Sequence, residues 1–243
     1  MILATPGFVL HTTPYSEASV VAKVFTRQLG MRSYLIKGVR SSRGRVKQNL
    51  LQPLSCVDMV VYDNPKNDLN YIKELAPRHP ESTAPQTSSR SATFNALRFF
   101  MTEVLYKSLR EEEPMPELFD YVESVFSEPY PGDGETKHLP IMILLTVARH
   151  LGIEPMDNYS VREPLFDLQE GRFVASLTDT TLPPALSSHL HEYLCNLSMS
   201  RPISVSMLSD RRSLIDALLA YFQLHLSSFR NFYSHEILHT ILK

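Results

Sequence analysis

Residues 20–39, VVAKVFTRQLGMRSYLIKGV, contain two runs of β-branched and aromatic side chains joined at Gly30. In the first run Val20, Ala22 and Val24 recur at every second position, which is the period of a strand with one buried face. The second run is rich in branched and aromatic residues, which favour strands. Because glycine permits a tight connection between such runs, this stretch predicts two adjacent strands.

Apolar runs of strand length continue on both sides of these two strands. Residues 8–10, 57–62 and 69–75 are rich in branched and aromatic side chains, which is typical of strands. Five short strands, with one long connection between the third and the fourth, fit a small closed barrel. We therefore predict a five-stranded OB-fold β-barrel over residues 1–78. An SH3-like barrel is the alternative, since periodicity does not separate the two.

The pattern becomes helical after a polar segment with prolines. Residues 79–90, HPESTAPQTSSR, have the composition of a linker. Beyond it, apolar side chains recur at intervals of three and four residues, except in the irregular segment 153–184, which contains a hairpin-like pattern. The predicted fold class is α+β multidomain: the barrel, then an all-α helical domain at 91–243 with a small hairpin-like insertion. The helices are expected at residues 94–109, 116–126, 139–151, 185–199, 210–226 and 234–242.

Positive charge is concentrated in residues 37–47, KGVRSSRGRVK, which we call the basic segment. It holds five cations and no acid, although the whole chain has a formal charge of -2. A flexible cationic connection suits a polyanion, and nucleic-acid phosphate is the commonest one. Tyr34 and Phe25 are candidate stacking platforms for bases. The predicted DNA-binding residues are Lys37, Arg40, Arg43, Arg45 and Lys47, with Lys23, Arg27 and Arg32 from neighbouring strands.

Motifs for catalysis are scarce. Residues 235–239 match H-E-x-x-H, in which two histidines one helical turn apart bind zinc and the glutamate acts as a base. The glycine-containing turn that supports such sites is absent. We therefore expect an amphipathic helix with Ile237, Leu238 and Ile241 facing inward. A zinc metallopeptidase using His235, Glu236 and His239 remains an alternative function.

Other chemically active residues suggest no site by their spacing. His189 and His191 are two residues apart, which places them on different faces of a helix. Cys56 and Cys195 lie far apart in apolar contexts, as expected for core residues in a reducing compartment. No signal peptide is evident, which favours a cytoplasmic location. We expect a protein that is not an enzyme, with no catalytic residues, no metal and no cofactor.

Eight segments along the chain form an ordered set of short motifs. In the first half they are GFVL at 7–10, PYSEAS at 14–19, FTRQLG at 25–30, KGVR at 37–40 and LLQP at 50–53. In the second half they are EPMPELF at 113–119, HLGIEP at 150–155 and FDLQEGRF at 166–173. In order and spacing, this set resembles the recombination mediator family RecO, and the resemblance extends over nearly the whole chain.

The resemblance implies an N-terminal OB-fold and a helical C-terminal domain. It implies binding of single- and double-stranded DNA, annealing of complementary strands, and a nucleoid-associated location away from membranes. The implied partners are RecR and the single-stranded-DNA-binding protein, and indirectly RecA, which is loaded during recombinational repair. A helical protein-interaction adaptor that does not bind DNA is the remaining alternative.

The chain departs from the family in two places. Many relatives carry a four-cysteine zinc element after the helix that ends in Leu-Gly, but residues 153–174 contain no cysteine. Apolar packing of Leu165, Phe166 and Phe173 is expected to hold the insertion instead. Some relatives have charged residues in the helix matching 140–151, but here that helix is almost wholly apolar until Arg149. The family's docking site for the acidic tail of the single-stranded-DNA-binding protein is thus left unplaced, and Arg149 is a weak candidate for it.

Overall fold

The computed structural model describes residues 2–39, 48–64, 67–78, 89–126, 136–199 and 210–241. The chain divides into two compact units, Met1–Tyr130 and Pro131–Lys243. The boundaries expected from sequence, at residues 78 and 90, remain a prediction about which segments fold independently. None of the helices in the described ranges is long and apolar enough to span a membrane.

Five strands form a closed barrel in the first unit. They are β1 (Ile2–Pro14), β2 (Ser19–Thr26), β3 (Gly30–Lys37), β4 (Cys56–Tyr62) and β5 (Asn70–Pro77), in the order β1-β2-β3-β5-β4. Antiparallel pairing of β1 with β4 closes the barrel, and β3 pairs with β5 in parallel. This arrangement confirms the predicted OB-fold.

The connection between β2 and β3 is as tight as the sequence predicted. Thr26 and Gly30 are paired across it, and Gly30 has a φ of +67°. A side chain at Gly30 would also collide with the backbone of Glu113. Glycine is therefore needed both for the left-handed backbone and for the close approach of a neighbouring segment.

The interior of the barrel is filled by the predicted alternating side chains. Ala22 and Val24 of β2 are completely buried, as are Val57 and Val61 of β4. Val20 is buried in the same cluster. The period of two in β2 thus correctly identified the inward face, because successive side chains of a strand point to opposite sides.

The described part of the first unit also contains the helices α1 (Ser89–Ser108) and α2 (Pro116–Phe126) and a short 3-10 helix at Gln48–Leu51. Helix α1 contacts strand β1 of the barrel, and its Phe94 ring lies 5.5 Å from the Phe126 ring of α2. In α2, the Phe119 ring lies 4.8 Å from the Phe8 ring and 5.6 Å from the Phe25 ring, measured between centroids. Helix α2 therefore covers the outer face of the β1–β2 pair.

The second unit contains the remaining helices and the hairpin. These are α3 (Leu139–His150), β6 (Leu165–Asp167), β7 (Arg172–Val174), α4 (Pro184–Met199), α5 (Arg211–His225) and α6 (Ser234–Ile241). The helical domain with its hairpin-like insertion is thereby confirmed. In α6, Leu238 is buried as expected, whereas Ile237 is half exposed and its predicted inward orientation was wrong.

The insertion is held by a small apolar core and by one buried carboxylate. Phe166 and Phe173 are fully buried, with ring centroids 5.1 Å apart, which supports the expected apolar packing. Asp167 accepts hydrogen bonds from the Thr178 and Thr180 hydroxyls at 2.7 and 2.9 Å, and from two backbone amides. Burial alone would raise the pKa of Asp167, but these hydrogen bonds outweigh it and lower the pKa.

Candidate nucleic-acid interface

The basic segment begins at the end of strand β3. Lys37 is the last residue of that strand, opposite Ser19 of β2, and its side chain is exposed. The other four predicted cations, Arg40, Arg43, Arg45 and Lys47, lie outside the described residues. Of the five predicted cations of the basic segment, Lys37 is the one that the structure describes.

The ammonium group of Lys37 lies over an aromatic ring. Its Nζ is 5.4 Å from the centre of the Tyr71 ring, a distance at which a cation and a ring attract each other. Among the described residues no carboxylate lies within ion-pair distance of Lys37. Its charge is consequently available to an anionic ligand.

Tyr71 is part of an exposed row of paired residues that crosses three strands. The row consists of Ile2 of β1, Tyr62 of β4 and Tyr71 of β5, and we call it the aromatic row after its two tyrosines. Ile2 is paired with Tyr62, and Tyr62 with Tyr71. Directly opposed residues of antiparallel strands project on the same face of a sheet. The exposed fractions of the two tyrosines are 46% and 44%, so both rings present surface to solvent. Aromatic surface beside a cation can stack an unpaired base while the cation contacts the phosphate.

Two of the predicted strand cations are engaged with acids from the helical part of the first unit. Lys23 Nζ lies 2.5 Å from Glu111 Oε1. Arg27 forms a bidentate pair with Asp120, with distances of 2.7 and 2.8 Å. Hydrogen bonding in this pair raises the pKa of Arg27 and lowers the pKa of Asp120. A phosphate would have to compete with these carboxylates.

Arg32, the third strand cation, is buried. Its guanidinium donates to Asp63 at 2.9 Å and lies 3.7 Å from a Glu112 carboxylate oxygen. The exposed fractions of the Arg32 and Asp63 side chains are 9% and 5%. Lys37 and the three strand cations therefore do not form one continuous free surface.

Tyr34 and Phe25, the candidate stacking platforms, are enclosed by the protein, so neither ring is accessible to a base. Tyr34 is completely buried within the barrel, and Phe25 is completely buried under Phe119. The sequence reasoning missed Tyr62 and Tyr71. They lie at the end of β4 and near the start of β5, on either side of the turn-favouring sequence Asp63-Asn64-Pro65, and this position could have identified them as exposed.

Arg149, the candidate for docking an acidic tail, lies in the last turn of α3. It donates to Glu154 Oε1 from Nε at 2.8 Å, and this hydrogen bond raises the pKa of Arg149. Its side chain is partly exposed. An acidic peptide would have to displace Glu154, and the docking role stays a prediction.

The H-E-x-x-H residues lie on helix α6 as expected. His239 Nε2 is 2.9 Å from Asp216 Oδ1, and the His235 and His239 ring centroids are 5.7 Å apart. In the described part of the chain, these residues are not joined by a third side chain into a group that could bind a metal. The geometry gives the zinc peptidase alternative no support.

Comparison with known proteins identifies similar chains. Residues 1–80 match the family model described as Recombination protein O N terminal. The chain is 29% identical over 232 residues to DNA repair protein RecO of Phocaeicola vulgatus, covering 94% of each chain. It is 28% identical over 246 residues to DNA repair protein RecO of Flavobacterium johnsoniae, and 28% over 250 residues to that of Porphyromonas gingivalis, covering 99% of each chain.

Proposed function

We propose, from the similarity of nearly the whole chain to RecO, that this protein is a DNA-binding mediator of recombinational repair. The observation that carries the proposal is the position of Lys37 over Tyr71, beside exposed Tyr62, on an OB-fold barrel. In this arrangement the basic segment contacts phosphates and the aromatic row stacks bases. Neither contact depends on the identity of the base.

Strand annealing follows from this mode of binding. Stacking uses the faces of the bases, and cations use the phosphates, so the Watson–Crick edges remain available for pairing. Neutralising phosphates also reduces the repulsion between two strands that approach each other. The protein would thus bring complementary strands together without catalysing a covalent reaction.

The proposed setting is the bacterial cytoplasm at the nucleoid, with single- and double-stranded DNA as ligands. RecR and the single-stranded-DNA-binding protein would be its protein partners, and RecA would be loaded as a result. Arg149 is proposed as a contact for the acidic tail of the single-stranded-DNA-binding protein, in exchange for its pair with Glu154.

The dependence of DNA affinity on salt tests the proposal. If all five cations of the basic segment contact single-stranded DNA, the logarithm of the association constant should fall with the logarithm of salt with a slope of about −3.5. Alanine at Lys37, Arg40, Arg43, Arg45 and Lys47 should remove most of that slope. Alanine at Arg162 and Arg172, two exposed cations of the second unit, should leave it unchanged.

A slope that is unaltered in the five-alanine protein would remove the basic segment from the mechanism. Annealing of complementary strands, measured with and without the single-stranded-DNA-binding protein, provides the second readout. No DNA binding even at low salt would contradict the proposal and favour the adaptor alternative.

A further inference from the structure

Three potential metal ligands converge in the second unit. Asp157, from the loop after α3, lies beside His191 and Cys195 of helix α4. Their oxygen, nitrogen and sulfur atoms all lie within 4.8 Å of one another. The two α4 residues are one helical turn apart, so they share a face of the helix. The sequence reasoning compared His191 with His189 and treated Cys195 as a core residue, and thereby missed this spacing.

The distances between these atoms are close to those around a tetrahedral zinc ion. Zinc binds sulfur at about 2.3 Å and imidazole nitrogen at about 2.0 Å, which separates the two ligand atoms by about 3.6 Å. Cys195 Sγ lies 3.7 Å from both ring nitrogens of His191 and 3.5 Å from Asp157 Oδ2, so the imidazole would have to turn to direct one nitrogen at an ion beside the sulfur. His191 Nδ1 and Asp157 Oδ1 are 2.6 Å apart, which is a hydrogen-bond distance. The carboxylate would have to withdraw by less than about 1 Å to admit the ion.

Neighbouring side chains pack against the imidazole and against the residues beside Asp157. The Tyr159 ring stacks on the His191 ring, with centroids 4.4 Å apart and an angle of 16° between the planes. The edge of Phe173 contacts the same imidazole. Asn158, next to Asp157, donates to the Phe173 carbonyl and accepts from its amide at 2.9 and 2.8 Å. These contacts restrict the movement of the imidazole and of the backbone beside Asp157.

A metal bound at these residues would cross-link the insertion to helix α4 and so stabilise it. Its two strands have only three residues each, which is short for a hairpin, and residues 157–163 precede it without regular structure. A metal bound between Asp157 and α4 would attach this loop to a helix. Sulfur, imidazole and carboxylate together suit zinc better than Mg²⁺ or Ca²⁺, which prefer oxygen ligands.

We propose that Asp157, His191 and Cys195 bind one Zn²⁺, with water in the fourth position. The side chains of Asp157 and His191 are partly exposed, which leaves access for that water. Zn²⁺ would take the place of the proton on the Cys195 thiol. Its bonds to Asp157 and His191 would replace the hydrogen bond between these two residues. The site differs in residues and in ligand types from a four-cysteine element.

Cobalt substitution tests the site directly on the full-length protein. Co²⁺ bound to a thiolate gives a sulfur-to-metal charge-transfer band in the near ultraviolet, and we expect one equivalent to saturate it and Zn²⁺ to displace it. Cys195→Ser should abolish the band, and His191→Ala should weaken Zn²⁺ binding by more than about 10-fold. Cys56→Ser is the matched control, because burial raises the pKa of the Cys56 thiol to about 12 and keeps it protonated.

Thermal unfolding supplies a readout that needs no DNA. Saturating Zn²⁺ should raise the unfolding temperature by about 5 °C in the wild type and in Cys56→Ser, but not in Cys195→Ser. Absence of saturable Co²⁺ binding would overturn the proposal. The cluster would then be a hydrogen-bonded group that binds no metal. A charge-transfer band that persists in Cys195→Ser would overturn it as well.

Discussion

Lys37 projects its ammonium nitrogen to 5.4 Å from the centre of the Tyr71 ring, whereas Lys23, Arg27 and Arg32 are all paired with carboxylates. The cations of the barrel therefore differ in what they can offer to DNA. Those paired with acids hold the first unit together. Lys37, with the tyrosine beside it, presents both charge and an aromatic surface.

Alanine at Tyr71 should weaken binding to single-stranded DNA. Stacking of one base on an aromatic side chain contributes about 1–3 kcal/mol, so the dissociation constant should rise at least about 5-fold, with little change in the salt slope. Fluorescence anisotropy with labelled oligonucleotides measures both quantities. Tyr62→Ala should act in the same direction, and Tyr233→Ala, an exposed tyrosine of the second unit, is the control. Equal affinities for the Tyr71 and Tyr233 variants would argue against the aromatic row as a binding surface.

Alanine at Arg32 should reduce stability rather than DNA binding. It leaves the Asp63 carboxylate buried without its nearest cation, and breaking such a pair typically costs about 3–5 kcal/mol. Urea unfolding followed by circular dichroism measures the loss. Lys23→Ala removes a more exposed pair and should cost no more than about 1 kcal/mol. If the Arg32 variant were as stable as the Lys23 variant, the structural role of Arg32 would be refuted.

Replacing Gly30 and Gly38 by alanine, one at a time, separates two requirements for glycine: a positive φ and a close approach of neighbouring backbone. Both residues have positive φ, at +67° and +77°. Gly30 is pressed against the Glu113 backbone, whereas no residue of the described ranges lies within 4 Å of a side chain placed at Gly38. Gly38→Ala should therefore cost about 1 kcal/mol from backbone strain alone. Gly30→Ala should cost about 3 kcal/mol or more, because the backbone of Glu113 must also move. Similar unfolding midpoints for the two variants would contradict the close approach.

Asparagine at Asp167 should destabilise the protein at neutral pH but not in acid. The pKa of Asp167 is lower in the folded than in the unfolded chain, so its contribution is present above about pH 4 and is lost as the pH falls through the folded pKa. Asp167→Asn should cost about 1–3 kcal/mol at pH 7, since charge-assisted hydrogen bonds are lost. The difference from wild type should narrow toward pH 3 in urea unfolding. Asp179→Asn, exposed in the same loop, is the matched control variant.

The barrel could be predicted because its information is local. The alternation of apolar residues along β2 and the glycine at the tight connection specify the strands and their inward face. This holds irrespective of the residues that pack around the barrel. The partners of the outward residues are not local: Glu111 and Asp120 are 88 and 93 residues away from the Lys23 and Arg27 that they bind. Strand periodicity could not show that Phe25 would be covered by Phe119, or that the exposed aromatic rings would be Tyr62 and Tyr71.

The packing of Phe119 against Phe8 and Phe25 has a practical consequence for dissecting the molecule. A fragment that stops at residue 78 would present both phenylalanine rings to water, on the outer surface of a barrel whose interior is already full. Such surface promotes self-association. We expect the isolated barrel sequence to aggregate on expression, and a fragment that extends through helix α2 to remain monodisperse.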